Sequence, residues 1–396
     1  MNRRGGVARR ATLIDSLQAL EEPLVHLDLG NFMSTSKPGK ELRSRHLWNE
    51  MIRLNVVATT PGPRELAEWN LFSEFLAEGE IPVVSSNLRR KTDGGETPLA
   101  DRSLIVEENG IRLGLIGLIG GNEFANARIP DGLSLSFSDP AEVAKTLVDE
   151  LAADVDLIVL LSQMSTDHTD LLLEAVPGID VALYGNRAPF VDRAERLGGT
   201  IVNMTGNRGQ YVGSLTIIVS PEGEIVEFGS ENGSLDKRFR KDPLVLAAAS
   251  DVEREVEDLK QAERGAVAST KPPTEFFLGA ETCRRCHPSQ FDQWAETPHA
   301  RAFATLETDH GMSKTEDCAR CHVTGFDHPS GYVPTSTSPN LENVQCEACH
   351  GPGTEHVRTR GQVKMSETTC TNCHTGEFAK DWNFDEYYDL VVHGPQ

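Results

Sequence analysis

At 396 residues the chain is too long for one ordinary core, and its length predicts two or three domains. Apolar residues at 38% and charged residues at 25% place it among globular chains. Sixty Asp and Glu against 38 Lys and Arg give a net charge of −22, which repels phosphate and excludes a nucleic-acid binder. No apolar run approaches the roughly 20 residues of a membrane span. Aromatic residues are only 6%, so the cores are mostly aliphatic or are filled by something other than protein.

The first 235 residues alternate helix-like and strand-like stretches. Val7–Leu20 carries apolar residues at helical spacing, and Leu24–Leu29 reads as a strand. Lys40–Leu54 and Pro63–Ala77 read as helices, the second with proline at its start. Ile81–Ser86, Ser103–Glu107 and Arg112–Ile119 read as strands, the last two joined as a hairpin through Asn109-Gly110. Asp139–Leu151 reads as a helix with Asp139 as N-cap and Pro140 in the first turn. Asp156–Leu161 is a continuous apolar run, as in a strand buried on both faces. Ile179–Tyr184, Thr200–Met204, Gly213–Val219 and Glu224–Glu231 complete a strand-rich set, with a turn at Pro221-Glu222-Gly223. This alternation predicts an α/β domain over 1–235, with two sheets flanked by helices. Leu244–Glu263 reads as a charged amphipathic helix and Gly265–Thr274 as a linker, so 236–274 forms a helix and connection. From Glu275 the pattern changes: apolar periodicity is scarce, and Gly, Pro, Thr and His are frequent. Residues 275–396 are expected to form a second, mainly helical domain.

All eight cysteines fall in that second domain, in four pairs of one spacing, and each pair is followed at once by histidine. The motifs are Cys283-Arg-Arg-Cys286-His287, Cys318-Ala-Arg-Cys321-His322, Cys346-Glu-Ala-Cys349-His350 and Cys370-Thr-Asn-Cys373-His374. Cys-x-x-Cys-His is the attachment signature of c-type haem: the thiols add to the porphyrin vinyl groups and the adjacent imidazole ligates the iron. With histidine at 12 of 396 positions, chance fills the four slots with odds of roughly one in a million. Eight cysteines also suffice for two structural zinc sites, but that reading leaves the four histidines unexplained. Disulfides across two residues are strained and redox-active, so they make a poor framework. Four covalent haems c are therefore expected, about 30 residues apiece, with the rings supplying the core. The remaining histidines of the domain, His299, His310, His328, His356 and His393, are candidate distal ligands; Met312 and Met365 sit in Gly/Lys-rich loops, where methionine is incidental.

The likeness of the C-terminal domain to a known family extends beyond these motifs. Thr297-Pro298-His299-Ala300-Arg301-Ala302, Cys321-His322-Val323-Thr324-Gly325-Phe326 and Cys346-Glu347-Ala348-Cys349-His350-Gly351-Pro352-Gly353 resemble the tetrahaem cytochromes c of nitrifying bacteria that accept electrons from hydroxylamine oxidoreductase, as does a late histidine after the acidic-aromatic stretch Asp385–His393. The resemblance implies His356 as distal ligand of the first haem, His299 of the third and His393 of the fourth. It leaves the second haem, on His322, without a distal side chain. Bis-histidine ligation lacks the potential-raising methionine, so mostly low potentials are expected.

The N-terminal domain resembles the catalytic domain of 5′-nucleotidases, within the metallophosphoesterases. The likeness rests on Gly5-Gly6-Val7-Ala8-Arg9-Arg10, Leu27-Asp28-Leu29-Gly30-Asn31, Ser85-Ser86-Asn87-Leu88, Asn109–Gly117 and Val155–Leu161. It implies a four-layer sandwich whose first strand is missing here, and a two-metal site. The family's metal ligands are not matched. Asn31 stands for the bridging carboxylate, Gly62-Pro63-Arg64-Glu65 for Gly-Asn-His-Glu, Ser162-Gln163 for a ligand histidine, and Gly185-Asn186-Arg187-Ala188 for Gly-His-x-His. No metal and no phosphatase activity are expected. Asp28, Asp167 and His168 are the residues from which an unexpected site would be built, although a capping role beside Thr166 suits His168 better.

Haem c attachment takes place outside the cytoplasm, so a periplasmic or extracytoplasmic location is expected. The first 25 residues show no apolar signal segment, and the first core strand is missing too; a chain that begins late accounts for both. Three functions follow. The first is electron transfer between redox partner proteins. The second is a redox enzyme for hydroxylamine or a small nitrogen oxide at an open second haem. The third is a metal-free phosphatase fold that binds a nucleotide-like molecule or a partner.

Overall fold

A computed structural model describes residues 5–394 apart from 21, 93, 128, 131, 187, 208, 222, 270–274, 309–315, 327, 333–340, 362–366 and 375–382. The chain divides into two compact units, Asn2–Leu259 and Lys260–Gln396.

The N-terminal unit is built on a six-stranded sheet. In spatial order its strands are Glu195–Leu197, Thr200–Met204, Val181–Tyr184, Leu157–Gln163, Ile111–Ile119 and Leu104–Glu108. The central pairs are parallel and both edge pairs are antiparallel. Leu157–Gln163 is buried along its whole length, as its uninterrupted apolar run requires. Asn109 and Gly110, both at positive φ, close the edge hairpin.

Alternate residues of the central strands feed two cores. Ile116, Leu118, Ile158 and Leu160 face the helices Pro140–Leu151 and Thr166–Ala175. Leu115, Val159 and Leu161 face a second, fragmented β-layer that includes Leu27, Ala58, Val84, Leu215, Ile217, Ile225 and Phe228. Beyond that layer, helices Lys40–Arg53 and Trp69–Glu78 pack an aromatic core in which Trp48 and Phe75 stack at 4.8 Å. The result is the four-layer α/β arrangement expected from the resemblance. Where the layers meet, Gly117 leaves room that a side chain would take: a Cβ there would lie 2.2 Å from the Val84 carbonyl oxygen.

Several elements differ from the sequence reading. The strand expected at Leu24–Leu29 shrinks to His26–Leu27, paired in parallel with Val56–Ala58. The Ile81–Ser86 stretch forms two isolated bridges, Thr59 with Val83 and Val84 with Asp101. The helix expected over Pro63–Ala77 breaks at Glu68 (φ −105°, ψ 38°) into Pro63–Ala67 and Trp69–Glu78. A three-stranded sheet of Leu88–Thr92, Gly95–Pro98 and Leu135–Phe137 has no counterpart in the sequence reading. Asp139 caps its helix as expected, accepting from the Ala141 and Glu142 amides at 2.9 and 3.0 Å. The late helix runs over Pro243–Ser269, through the first half of the expected linker; residues 270–274 lie outside the described ones.

The C-terminal unit is helical but in short pieces. After residue 275 no described helix exceeds eight residues. Among the described residues its aliphatic-aromatic core is one small cluster, Phe303, Leu306, Ala319 and Val323, with Phe326 and Tyr332 against it. No helix of the described residues is long and apolar enough to cross a membrane.

Candidate haem-binding sites

Each Cys-x-x-Cys-His motif closes one helical turn. The His287 amide donates to the Cys283 carbonyl at 2.9 Å, and the His374 amide donates to Cys370 at 2.9 Å. The helices Glu316–His322 and Cys346–His350 end on their histidines. One turn sets residues i, i+3 and i+4 on one face, so two thiols and an imidazole point the same way. The Cys283 and Cys346 thiols lie next to each other, as do those of Cys321 and Cys373. The attachment points of the first and third motifs therefore adjoin, as do those of the second and fourth. The side chain of Cys318 lies outside the described ones.

Histidines from outside the motifs come to three of the four turns. His356 stands 5.7 Å from His287, His299 stands 6.0 Å from His374, and His393 stands 5.6 Å from His350, ring centre to ring centre. Two imidazoles bound on opposite sides of one metal, with metal–nitrogen distances of about 2 Å, have their ring centres about 6 Å apart. The pairs thus match the spacing that one iron between them requires. A structural zinc site needs four converging ligands. Among the described residues no group of three or more His, Cys, Asp or Glu side chains is placed to hold a metal.

The first pair follows the resemblance. The other two are exchanged: His299 meets His374 rather than His350, and His393 meets His350 rather than His374. The terminal segment explains the exchange. The side-chain amides of Gln290 and Gln293 donate to the carbonyls of Gly394 and Val392 at 3.3 and 2.8 Å. That ties His393 to the helix Pro288–Ala295, beside the first motif and hence the third. Tyr387, earlier in the same segment, lies edge-on to His374 at 5.7 Å.

Two of these imidazoles are oriented through Nδ1. His356 Nδ1 bonds the Gly361 carbonyl at 2.7 Å and His322 Nδ1 bonds the Ala302 carbonyl at 2.5 Å, which leaves Nε2 of each for a metal. Burial lowers the basicity of His299, His350 and His374. Neighbouring imidazoles lower it further for His299, beside His374, and for His350, beside His393, His356 and His287. The neutral, ligating form is thereby favoured. No second imidazole stands beside His322 among the described residues. His328 Nδ1 bonds Ser330 at 2.9 Å and its ring lies edge-on to Phe277. His310, Met312 and Met365 lie outside the described residues.

In the N-terminal unit, the positions that correspond to metal ligands bond one another. Asn31 Nδ2 donates to Gln163 Oε1 at 2.9 Å, and Asn31 Oδ1 accepts from the Arg64 amide at 3.2 Å. Gln163 also donates to the Leu29 carbonyl. Glu65 is fully buried and accepts from the amides of Asn31, Gly62 and Met33 at 2.8, 2.8 and 3.1 Å. Burial raises its pKa, and the three N–H bonds oppose that rise. Gly30 and Asn31 both take positive φ to make this turn. A Cβ on Gly62 would lie 2.6 Å from the Asn31 side chain. Asn186 donates to Glu123 at 3.0 Å. Asp28 accepts from the Gly30 amide and faces Arg10 at 3.7 Å, while His168 bonds its N-cap Ser165 at 3.0 Å. Asp28 and His168 thus engage different partners. His168 borders a cleft of about 390 Å³ with Gly120, Phe137, Asp139, Met164 and Leu171.

Residues 282–351 match the family model of cytochrome c554 and c-prime. Cytochrome c-554 of Nitrosomonas europaea is 30% identical, over 28% of this chain and 54% of that protein. Over the N-terminal part, a 5′-nucleotidase of Diplobatis ommata is 26% identical, covering 61% of this chain and 45% of that protein. The 5′-nucleotidase precursor of Thermus thermophilus superposes with a TM-score of 0.59 at 23% identity, covering 65% of this chain and 54% of that structure. The N-terminal unit has the calcineurin-like phosphoesterase fold. The chain spans about half the length of the relatives it matches.

Sequence reasoning did not single out Glu347 and Gln345. Both are buried, and both accept from the backbone just before the first motif. The one sequence signal was a carboxylate inside the third motif. For the phosphoesterase-like site, the amide network makes a direct prediction. Asn31→Asp removes the donor to Gln163 and adds a carboxylate near buried Glu65. It should destabilise the unit by about 1–3 kcal/mol, read as a lower thermal midpoint; an unchanged midpoint would show that the network contributes nothing.

Proposed function

We propose that this chain is an extracytoplasmic multihaem c-type cytochrome that passes electrons between redox partner proteins through four covalent haems. Its phosphoesterase-like unit is a metal-free module for docking or for binding a nucleotide-like molecule. One observation carries the reading: each of three imidazole pairs takes one ring from a Cys-x-x-Cys-His turn and the other from outside it. When bound, each haem supplies a one-electron iron couple and a flat apolar ring.

The chain's own residues do the rest. Cys283 and Cys286, Cys318 and Cys321, Cys346 and Cys349, and Cys370 and Cys373 tether the four groups as thioethers. His287 with His356, His374 with His299, and His350 with His393 would each supply two imidazoles to one iron, and His322 would supply one to the other. Burial favours the neutral form of His299, His350 and His374, and adjoining attachment points suit electron exchange between neighbours. Thioether formation outside the cytoplasm sets the location.

Protein matured in a periplasm should give four haems per chain in a pyridine haemochrome assay; zinc with no haem would sink the reading. Paramagnetic NMR of the oxidised protein should place the shifted His299 ring protons with those of His374. A His299–His350 pair would overturn the exchanged assignment.

The phosphoesterase-like unit offers amides where a two-metal site needs carboxylates and imidazoles. Given manganese, zinc or magnesium, the full chain should leave nucleoside monophosphates and aryl phosphates intact. Metal-dependent turnover above about 1 s⁻¹ would refute that.

A second reading, a redox enzyme for hydroxylamine or a small nitrogen oxide, draws on His322, which has no imidazole opposite it among the described residues. It requires one high-spin haem in the oxidised protein and turnover of such a substrate. Four low-spin haems would remove it.

A further inference from the structure

Glu347 follows Cys346 inside the third attachment turn and is only 3% exposed. Its carboxylate accepts from three backbone N–H groups: Leu278, at 2.9 Å to each oxygen, Gly279 at 2.7 Å and Gly353 at 2.7 Å. All of these are donors, the surroundings an ionised carboxylate needs. No ion pair among the described residues engages it, so its charge is offset only by peptide dipoles. Gly279 links it to the first motif, because it is the N-cap of the helix Ala280–Arg284 that carries Cys283. The Cys283 and Cys346 side chains adjoin. One buried negative charge thus sits at the junction of two attachment points.

We propose that Glu347 is a positioning and potential-setting residue for the first and third haems, a fixed buried anion that favours their ferric state. The inference rests on the haem reading above. A ferric site carries one more positive charge than a ferrous one, and a nearby anion in a water-poor surrounding stabilises the more positive state. The haems on His287 and His350 then have lower potentials than they would have without that charge. Gln345 provides an uncharged comparison. Its Oε1 accepts from the Ala280 amide at 2.6 Å and its Nε2 donates to the Glu342 carbonyl at 2.7 Å, so it ties the same two segments without charge.

The test is a spectroelectrochemical titration of the full, haem-loaded chain, after its haems have been counted. Glu347→Gln should raise two of the four midpoint potentials, shifting the reduction equilibrium at least tenfold, about 59 mV for one electron. Gln345→Ala should leave all four within that limit. So should Glu347→Asp, which keeps the charge. Three results would overturn the proposal: a Glu347→Gln protein with four haems and unmoved potentials, the same rise in Gln345→Ala, or a rise in Glu347→Asp. If Glu347→Gln does not take up four haems, Glu347→Asp against Gln345→Ala decides: potentials held in the first support the charge, and a rise in the first defeats it. A wild-type chain without haem would fail the parent reading instead, and the haem count makes that failure plain.

Discussion

The C-terminal unit depends on pairing between imidazoles distant in sequence. Its described helices are four to eight residues long, below the length at which helices hold themselves together in water. Among the described residues, one small cluster around Phe303 and Val323 is the aliphatic-aromatic core it has. The three histidine pairs join residues 287 with 356, 299 with 374 and 350 with 393. With a metal held between its rings, each pair would close a long loop, as a disulfide does in a small secreted domain. A metal between two such imidazoles would couple binding to folding, because the unfolded chain offers no preformed pair. Glu347 and Gln345 serve the same end by direct bonds, pinning the segment before Cys283 to the third motif.

The N-terminal unit joins its central loops through side-chain amides. A dinuclear site gathers carboxylates and imidazoles that are tolerable together because two cations lie between them. Asn31 and Gln163 form a neutral arrangement: Asn31 donates to Gln163 and accepts from the Arg64 amide, and Gln163 donates to the Leu29 carbonyl. Glu65 remains, and its charge is met by the amides of Asn31, Met33 and Gly62. The left-handed turn at Gly30 and Asn31 is therefore used to aim backbone N–H groups at a carboxylate.

What could be read from the sequence follows the range of the forces involved. Leu157–Gln163, the Asn109-Gly110 hairpin and the Asp139 cap are local statements, and the chain makes each within ten residues. The break at Glu68 was hidden because Pro63–Glu78 is helical in propensity throughout, and the tertiary bonds of Glu65 decide where it bends. The strand Leu88–Thr92 is polar after its buried first residue and Gly95–Pro98 is exposed throughout, so no alternation announced them. The attachment turns were legible because their chemistry lies within five residues. The choice of partner for His350 and His374 was not, since it hangs on where Gln290 and Gln293 hold the last residues of the chain.

The turn at His322 separates two things a ligand site needs. Its imidazole is oriented as fully as any other: Nδ1 is engaged by the Ala302 carbonyl, with Thr305 Oγ1 at 3.3 Å. That orientation comes from the helix Ala302–Thr308 on its own side and owes nothing to a group across the ring. The imidazole nearest in sequence, His328, is drawn away by Ser330 and Phe277, and the latter is held by its own amide bond to Ser330. Ser330 thus engages both the ring that would otherwise be free to turn and the backbone of the residue it rests on. His328 is therefore held by the same stretch of chain, residues 276–280, that Glu347 pins.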